Sequence, residues 1–155
     1  MAGVDLRAFE APDEVREFER GRFEVVRIGG MVVGRATYEP GWRWSRHVGG
    51  DPDSRCQVEH VGLVISGRAA VLMDDGEERV MQPGQLFHVA PGHDSWVVGD
   101  EPYVSLHFLG AGDYAASLWS PRGAGGAAGR LKHHRGSAGG PHGVRPGRFG
   151  PKSGR

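Results

Sequence analysis

The reading of the fold is decided by Cys56–Trp96, CQVEHVGLVISGRAAVLMDDGEERVMQPGQLFHVAPGHDSW. Its apolar runs VGLVI, AAVLM, ERVM and QLFHV are short and rich in β-branched or aromatic side chains. Each is bounded by Gly, Pro or Asp, the pattern of strands joined by tight turns. Asp75-Gly76 between two of them is a hairpin signal, because a positive φ costs this pair little. The alternation predicts strands over 57–66, 69–73, 78–81, 85–90 and 95–98, with turns at 67–68, 74–77, 82–84 and 91–94. This is an antiparallel meander with the strand spacing of a sandwich or barrel.

Working outward on the N-terminal side, FEVVRI, MVVGRATY and the run ending at His47 read as three further strands, broken at Gly29-Gly30 and Pro40-Gly41. Before them, PDEVREFER (12–20) reads as a short helix: Pro12 suits a first turn, acidic residues lead, and Val15 and Phe18 share a helical face. VGGDPDSRCQ (48–57) reads as a polar loop at a mouth or edge of the sheet. The organisation expected is therefore an N-terminal segment with a helix (1–22), a barrel (23–119) and a tail (120–155).

The tail differs in composition from everything before it. Residues 120–155 contain 15 Gly or Pro in 36 positions, 8 basic residues and no acidic one. Such a segment cannot bury enough surface to offset its ordering entropy, so disorder is expected there. The remaining chain holds all 19 acidic residues against 11 basic ones, a net −8 that argues against a folded surface for specific nucleic-acid binding. No window of ~18 apolar residues exists and the first 20 residues lack an apolar signal core, so neither a membrane span nor a signal peptide is expected. A single cysteine, Cys56, excludes an internal disulfide and suits a reducing, cytoplasmic compartment.

Five histidines fall in the body: His47, His60, His88, His93 and His107. A neutral imidazole is the commonest ligand for transition metals, although any one of these alone is more often a hydrogen-bonded structural group.

The motif order resembles the single-domain cupins. Gly41, WRWSR and His47 match the opening of the first cupin motif, Gly67 matches its close, and His60 stands at its Glu position. Gly84, QLFHV, Ala90, Pro91, Gly92, His93, Asp94 and Ser95 fit the frame of the second. The departures are Gly49 at the second His of the first motif and Ser95 at the His of the second. The resemblance covers about residues 23–109 and implies a small jelly-roll barrel with a divalent metal ion inside.

Within that frame, residues two apart on a strand share a face about 6.6 Å apart, which puts His93 one pleat from the Ser95 position. His47, His60 and His93 are thus expected to form a displaced three-histidine metal face with open positions. If His47 points inward so does Arg43, and Arg43 and Ser95 become the polar groups for a small-molecule ligand, the alternative for Arg43 being a salt bridge at the rim. Cys56 shares the parity of His60 but lies ~13 Å away along a continuous strand, joining it only if the loop folds back. His88 is a reserve ligand. His107 alternates against Val104, Leu106 and Phe108, so those three are expected to face the core and His107 the solvent. Trp42 and Trp44 read as packing anchors.

Three functional classes follow: a metal-dependent oxygenase, isomerase or lyase; a ligand-sensing barrel without catalysis; and a scaffold whose basic tail recruits an acidic partner. The resemblance does not choose among them, because one fold hosts many functions. VGLVI is apolar on both faces, as is much of FEVVRI, more than a free-standing sheet needs, so a homodimer sharing a sheet face or edge is expected.

Overall fold

A computed structural model of the chain describes residues 3–116. The tail, and the disorder expected of it, lie outside the described residues. Among the described residues nine strands run in chain order: β1 (Glu14–Phe18), β2 (Gly21–Ile28), β3 (Met31–Tyr38), β4 (His60–Ser66), β5 (Arg68–Met73), β6 (Glu78–Met81), β7 (Leu86–Val89), β8 (His93–Val98) and β9 (Tyr103–Leu109), with one short helix, α1 (Trp44–His47), between β3 and β4.

All pairings are antiparallel, in a six-stranded sheet ordered β1-β2-β3-β9-β4-β7 and a three-stranded sheet ordered β6-β5-β8. Strands β4 to β9 cross repeatedly between the sheets, the connectivity of a jelly roll. The five strands expected from Cys56–Trp96 are present, within three residues at every end. Asp75-Gly76 makes the β5–β6 turn, with Gly76 at φ 91°. Gly67, at φ 69°, is required twice over, since a Cβ there would lie 2.2 Å from the Pro102 carbonyl oxygen.

A fourth strand of the smaller sheet is present only in fragments. Arg43 bridges Trp96 and Cys56 bridges His93, both antiparallel on β8. Between them residues 44–55 leave the sheet in an excursion that contains α1. The run ending at His47, expected as a strand, is therefore interrupted: Arg43 is still extended (φ −143°), and the chain turns helical at Trp44. Asp94 holds this corner, since its buried carboxylate accepts from the Ser45 backbone N–H (3.0 Å), the Ser45 hydroxyl (2.9 Å) and Arg43 Nε (2.7 Å).

Residues 12–20 are a second correction, with strand β1 where a helix is expected. The window is too short for periodicity to discriminate, and tertiary pairing overrides it. β1 pairs along its whole length with β2, from Glu14↔Val25 to Phe18↔Gly21, across a tight turn in which Arg20 takes φ 59°. Arg16, on the inner face of this edge strand, is 2% exposed and donates to the carbonyls of Ala111, Gly112 and Tyr114, tying β1 to the segment after β9.

The interior packs Phe23, Val25 and Ala36 against Val64, Tyr103 and Tyr114 of the same large sheet and its trailing segment, and against Ala69 and Val97 of the smaller one. Trp42 and Trp44 behave as anchors. Trp42 is 1% exposed and stacked on Tyr38 at 3.8 Å between ring centroids, and Trp44 packs on the same cluster.

The outer face of the large sheet has two halves. On β2 and β3 it is ionic, with the buried Glu24 carboxylate held by Arg22 and by both Nε and an NH2 of Arg35. On β9, β4 and β7 it is apolar, with Leu63 opposite both Leu106 and Leu86 and with Ile65, Phe108 and Leu109 exposed.

Candidate metal centre

His60, at the first position of β4, points into the jelly roll and is 4% exposed. His93, at the first position of β8, points in from the opposite sheet at 3% exposure, their rings edge to face at 5.3 Å. Cys56 joins them because the excursion returns to the sheet there. Its N–H donates to the His93 carbonyl (2.7 Å) and its own carbonyl accepts from Gly92 N–H (2.8 Å). The thiol is thereby set 3.7 Å from His60 Nε2. One ligand atom from each of Cys56, His60 and His93 lies within 4.8 Å of the other two.

Burial sets the protonation of this group. It drives the His60 pKa down to about 3, with His107 and His93 adding to the effect. It lowers that of His93 too, against the opposing pull of the Ala90 carbonyl. Both rings are thus neutral near pH 7 and keep a lone pair for a metal. Burial pushes the Cys56 thiol up to about 11, so in the absence of a cation it is protonated. A metal ion would displace that proton, since the ligating form is the thiolate.

The donor set fits a metal. Ligand bonds of ~2.1 Å to nitrogen and ~2.3 Å to sulfur at a tetrahedral angle separate N and S by about 3.6 Å, close to the 3.7 Å between Cys56 Sγ and His60 Nε2, with all three ligand atoms within 4.8 Å of one another. His93 Nδ1 is 2.7 Å from the Ala90 carbonyl, the kind of contact that fixes tautomer and ring orientation and leaves Nε2 for ligation. His60 Nδ1 is buried without a partner, wedged against the Gly110 backbone, where an added Cβ would come within 3.0 Å of it.

Of the residues expected at the site, the structure brings together His60 and His93 and sets His47 apart. His47 closes α1, where its Nδ1 takes a hydrogen bond from the Arg43 backbone N–H (2.9 Å) and its Nε2 lies 3.9 Å from Glu19. Arg43 is at the rim, bound to Asp94 and stacked over the Trp96 ring at 4.5 Å, so its carboxylate partner is internal. Ser95 lines the interior cavity beside His93. His88 is on the outer face, 2.8 Å from Glu59.

His107 is where the expected orientation fails. It is 6% exposed, edge to face with His60 at 5.2 Å and 3.0 Å from the Ser105 hydroxyl, with its pKa pushed by burial to about 4. The alternation along β9 is real, but its sense is reversed. Tyr103, Ser105 and His107 face in, while Val104, Leu106 and Phe108 face out.

No family model matches the chain, and no curated protein does. Among solved structures, it is similar to a protein of unknown function from Rhizobium leguminosarum (20% identity, 57% of this chain and 78% of that one, TM-score 0.44). It is also similar to a cupin-like protein from Thermotoga maritima (14%, 59% and 68%, TM-score 0.43). A third likeness is to oxalate decarboxylase from Bacillus subtilis (25%, 63% of this chain but 27% of that one, TM-score 0.44). These likenesses are partial, covering 57% to 63% of this chain, and none of them bears on activity.

Proposed function

We propose that this protein is a cupin-like small-molecule-binding protein that holds a divalent metal ion through Cys56, His60 and His93. The observation that carries the reading is the convergence of one thiol and two neutral imidazoles, all buried, from two sheets and a returning loop. A thiolate with two imidazoles suits a borderline-soft ion such as Zn²⁺ over Mg²⁺ or Ca²⁺, which want oxygen ligands. Three protein ligands leave a position for water or a substrate oxygen, and a bound ion would supply Lewis-acid polarisation there. Ser95 and His107 are the neighbouring groups placed to orient what binds. The single buried thiol suits a cytoplasmic location, and a homodimer through the apolar half of the large sheet covers its exposed leucines.

The test is metal content of the full-length chain purified without a polyhistidine tag, with Co²⁺ titrated into chelator-treated protein. About one equivalent of metal, and a thiolate-to-cobalt absorption band abolished in Cys56→Ser, supports the proposal. His60→Ala and His93→Ala should each lose the metal and His47→Ala should keep it. Wild-type protein that takes up neither metal overturns it.

A further inference from the structure

The two imidazoles of the candidate site are held in different ways. His93 has the Ala90 carbonyl 2.7 Å from its Nδ1, which fixes the ring. His60 has no such partner, its Nδ1 being buried and unpaired. An imidazole without an orienting hydrogen bond is a poor ligand unless packing sets its plane. Much of that packing comes from one short segment, residues 110–114. The Gly110 backbone, at φ 85°, lies so close that a Cβ there would come within 3.0 Å of His60 Nδ1 and 2.2 Å of the Glu59 carbonyl oxygen. Four residues on, the buried Tyr114 ring stands edge to face with the His60 ring at 5.4 Å.

The segment belongs to no strand. Its own backbone closes a single turn, with the Asp113 and Tyr114 N–H groups on the Gly110 carbonyl. Among the described residues, every side-chain hydrogen bond to it comes from Arg16. That guanidinium donates to the carbonyls of Ala111 (2.9 Å), Gly112 (3.1 Å) and Tyr114, and Glu14 balances its charge at 2.6 Å. Arginine suits the task, because its donors form a rigid planar fork. Just past the last of these carbonyls, Ala115 takes φ 50°, a conformation that a residue with a Cβ keeps only where its surroundings hold it.

We infer that Arg16 is a positioning residue for His60: through the 110–114 segment it sets the plane of the imidazole and keeps the ring closed from solvent. Three strands separate β1 from β4 in the large sheet, so the effect is carried by the segment and not along the sheet. Without Arg16 the segment keeps its turn and the packing of Tyr114 on Phe23 at 4.8 Å, but loses the bonds that hold its carbonyls. The consequence for metal affinity rests on the ion proposed for Cys56, His60 and His93. The consequence for the His60 ring rests on packing alone.

The experiment compares Arg16→Met, Arg16→Lys and Arg35→Met in the full-length protein. Arg35→Met is the control, since it breaks the ion pair with buried Glu24 on the outer face of the same sheet. One readout is Co²⁺ affinity by competition with a chelator. The other is carbethoxylation of His60 by diethyl pyrocarbonate in metal-free protein, located by peptide mass spectrometry. Arg16→Met should weaken Co²⁺ about 10–100-fold and make His60 reactive. Wild type and Arg35→Met should bind tightly and leave His60 unreactive, and Arg16→Lys, which keeps the charge without the fork, should fall between. If circular dichroism shows Arg16→Met unfolded, Arg16→Lys against Arg35→Met makes the same comparison. An unreactive His60 in the Arg16 variants, or equal losses in Arg35→Met, overturns the inference. Wild-type protein that takes up no metal, with His60 reactive only in the Arg16 variants, refutes the metal proposal alone. Equally tight Co²⁺ binding by wild type and Arg16→Met refutes this one alone.

Discussion

Cys56 and His93 are bonded to each other through their backbones, the Cys56 N–H donating to the His93 carbonyl at 2.7 Å. The thiol is therefore aimed by main-chain geometry, and changing its side chain leaves the bridge intact. Cys56→Ser should cost less than about 1.5 kcal/mol of stability while abolishing metal uptake. Paired denaturation curves and metal analysis check this. A loss of several kcal/mol would mean that the sulfur is mainly a packing group.

Acid stability follows from the buried histidines. The folded pKa is pushed down to about 3 for His60 and about 4 for His107, from the ordinary 6.5. Below pH 6.5 the unfolded chain takes up protons that the folded one refuses, so stability present above 6.5 is lost as pH falls towards 4. The metal-free protein should melt at a nearly constant temperature from pH 7 to 9 and at steadily lower ones below 6.5. His107→Leu should flatten that acid limb. A melting temperature unchanged between pH 7 and 4.5 would contradict the burial of both rings.

Asp94 is expected to matter more than its partner Arg43. The carboxylate is 1% exposed and accepts four hydrogen bonds, from Arg43 Nε, the Ser45 hydroxyl and the backbone N–H groups of Ser45 and Ser95. Asp94→Ala should cost about 3 kcal/mol, because it orphans the buried Ser45 donors and releases the start of α1. Arg43 is 43% exposed in its side chain, so Arg43→Ala should cost under about 1 kcal/mol. Urea midpoints of the two variants decide, and the reverse order would show that the ion pair, rather than the cap on Ser45, holds the excursion in place.

What the sequence made legible here was parity, and what it hid was sense. In Cys56–Trp96 the turn residues Gly67, Asp75-Gly76 and Gly92 fixed strand ends locally, so five strands were readable from residues a few positions apart. His60 and His93 were readable because both stand at the inner ends of such strands. Cys56 was hidden by an excursion at 44–55 whose length no local pattern encodes, although its shared parity with His60 was the available signal. Nothing in 12–20 distinguished an edge strand from one turn of helix until β2 was there to pair with it. On β9, alternation separated Tyr103, Ser105 and His107 from Val104, Leu106 and Phe108, and the ordinary rule then put the apolar set inside. The structure does the opposite, and His107 packs edge to face against the inner aromatic rings of Phe23 and Phe87.

That inversion leaves an apolar surface on the outside, and it bears on assembly. Leu63 sits at its centre, opposite Leu106 on β9 and Leu86 on β7, and Leu86 is 75% exposed. Ile65, Phe108 and Leu109 extend the patch along the same strands. The neighbouring half of the sheet is closed by the Glu24–Arg35 pairing and by Phe9 lying under the Arg35 guanidinium at 5.0 Å, so the exposed apolar area is bounded by charge. This patch is the surface that the proposed homodimer would cover. Two copies related by a two-fold axis could each bury it against the other. Light scattering at micromolar concentration should give twice the 16.7 kDa chain mass. Leu63→Arg should give the single-chain mass with an unchanged β-sheet circular dichroism spectrum, because the substitution lies on the outer face and leaves His60 and Val64 where they are. A wild-type monomer, or a Leu63→Arg dimer as tight as wild type, would show that this face is not where the copies meet.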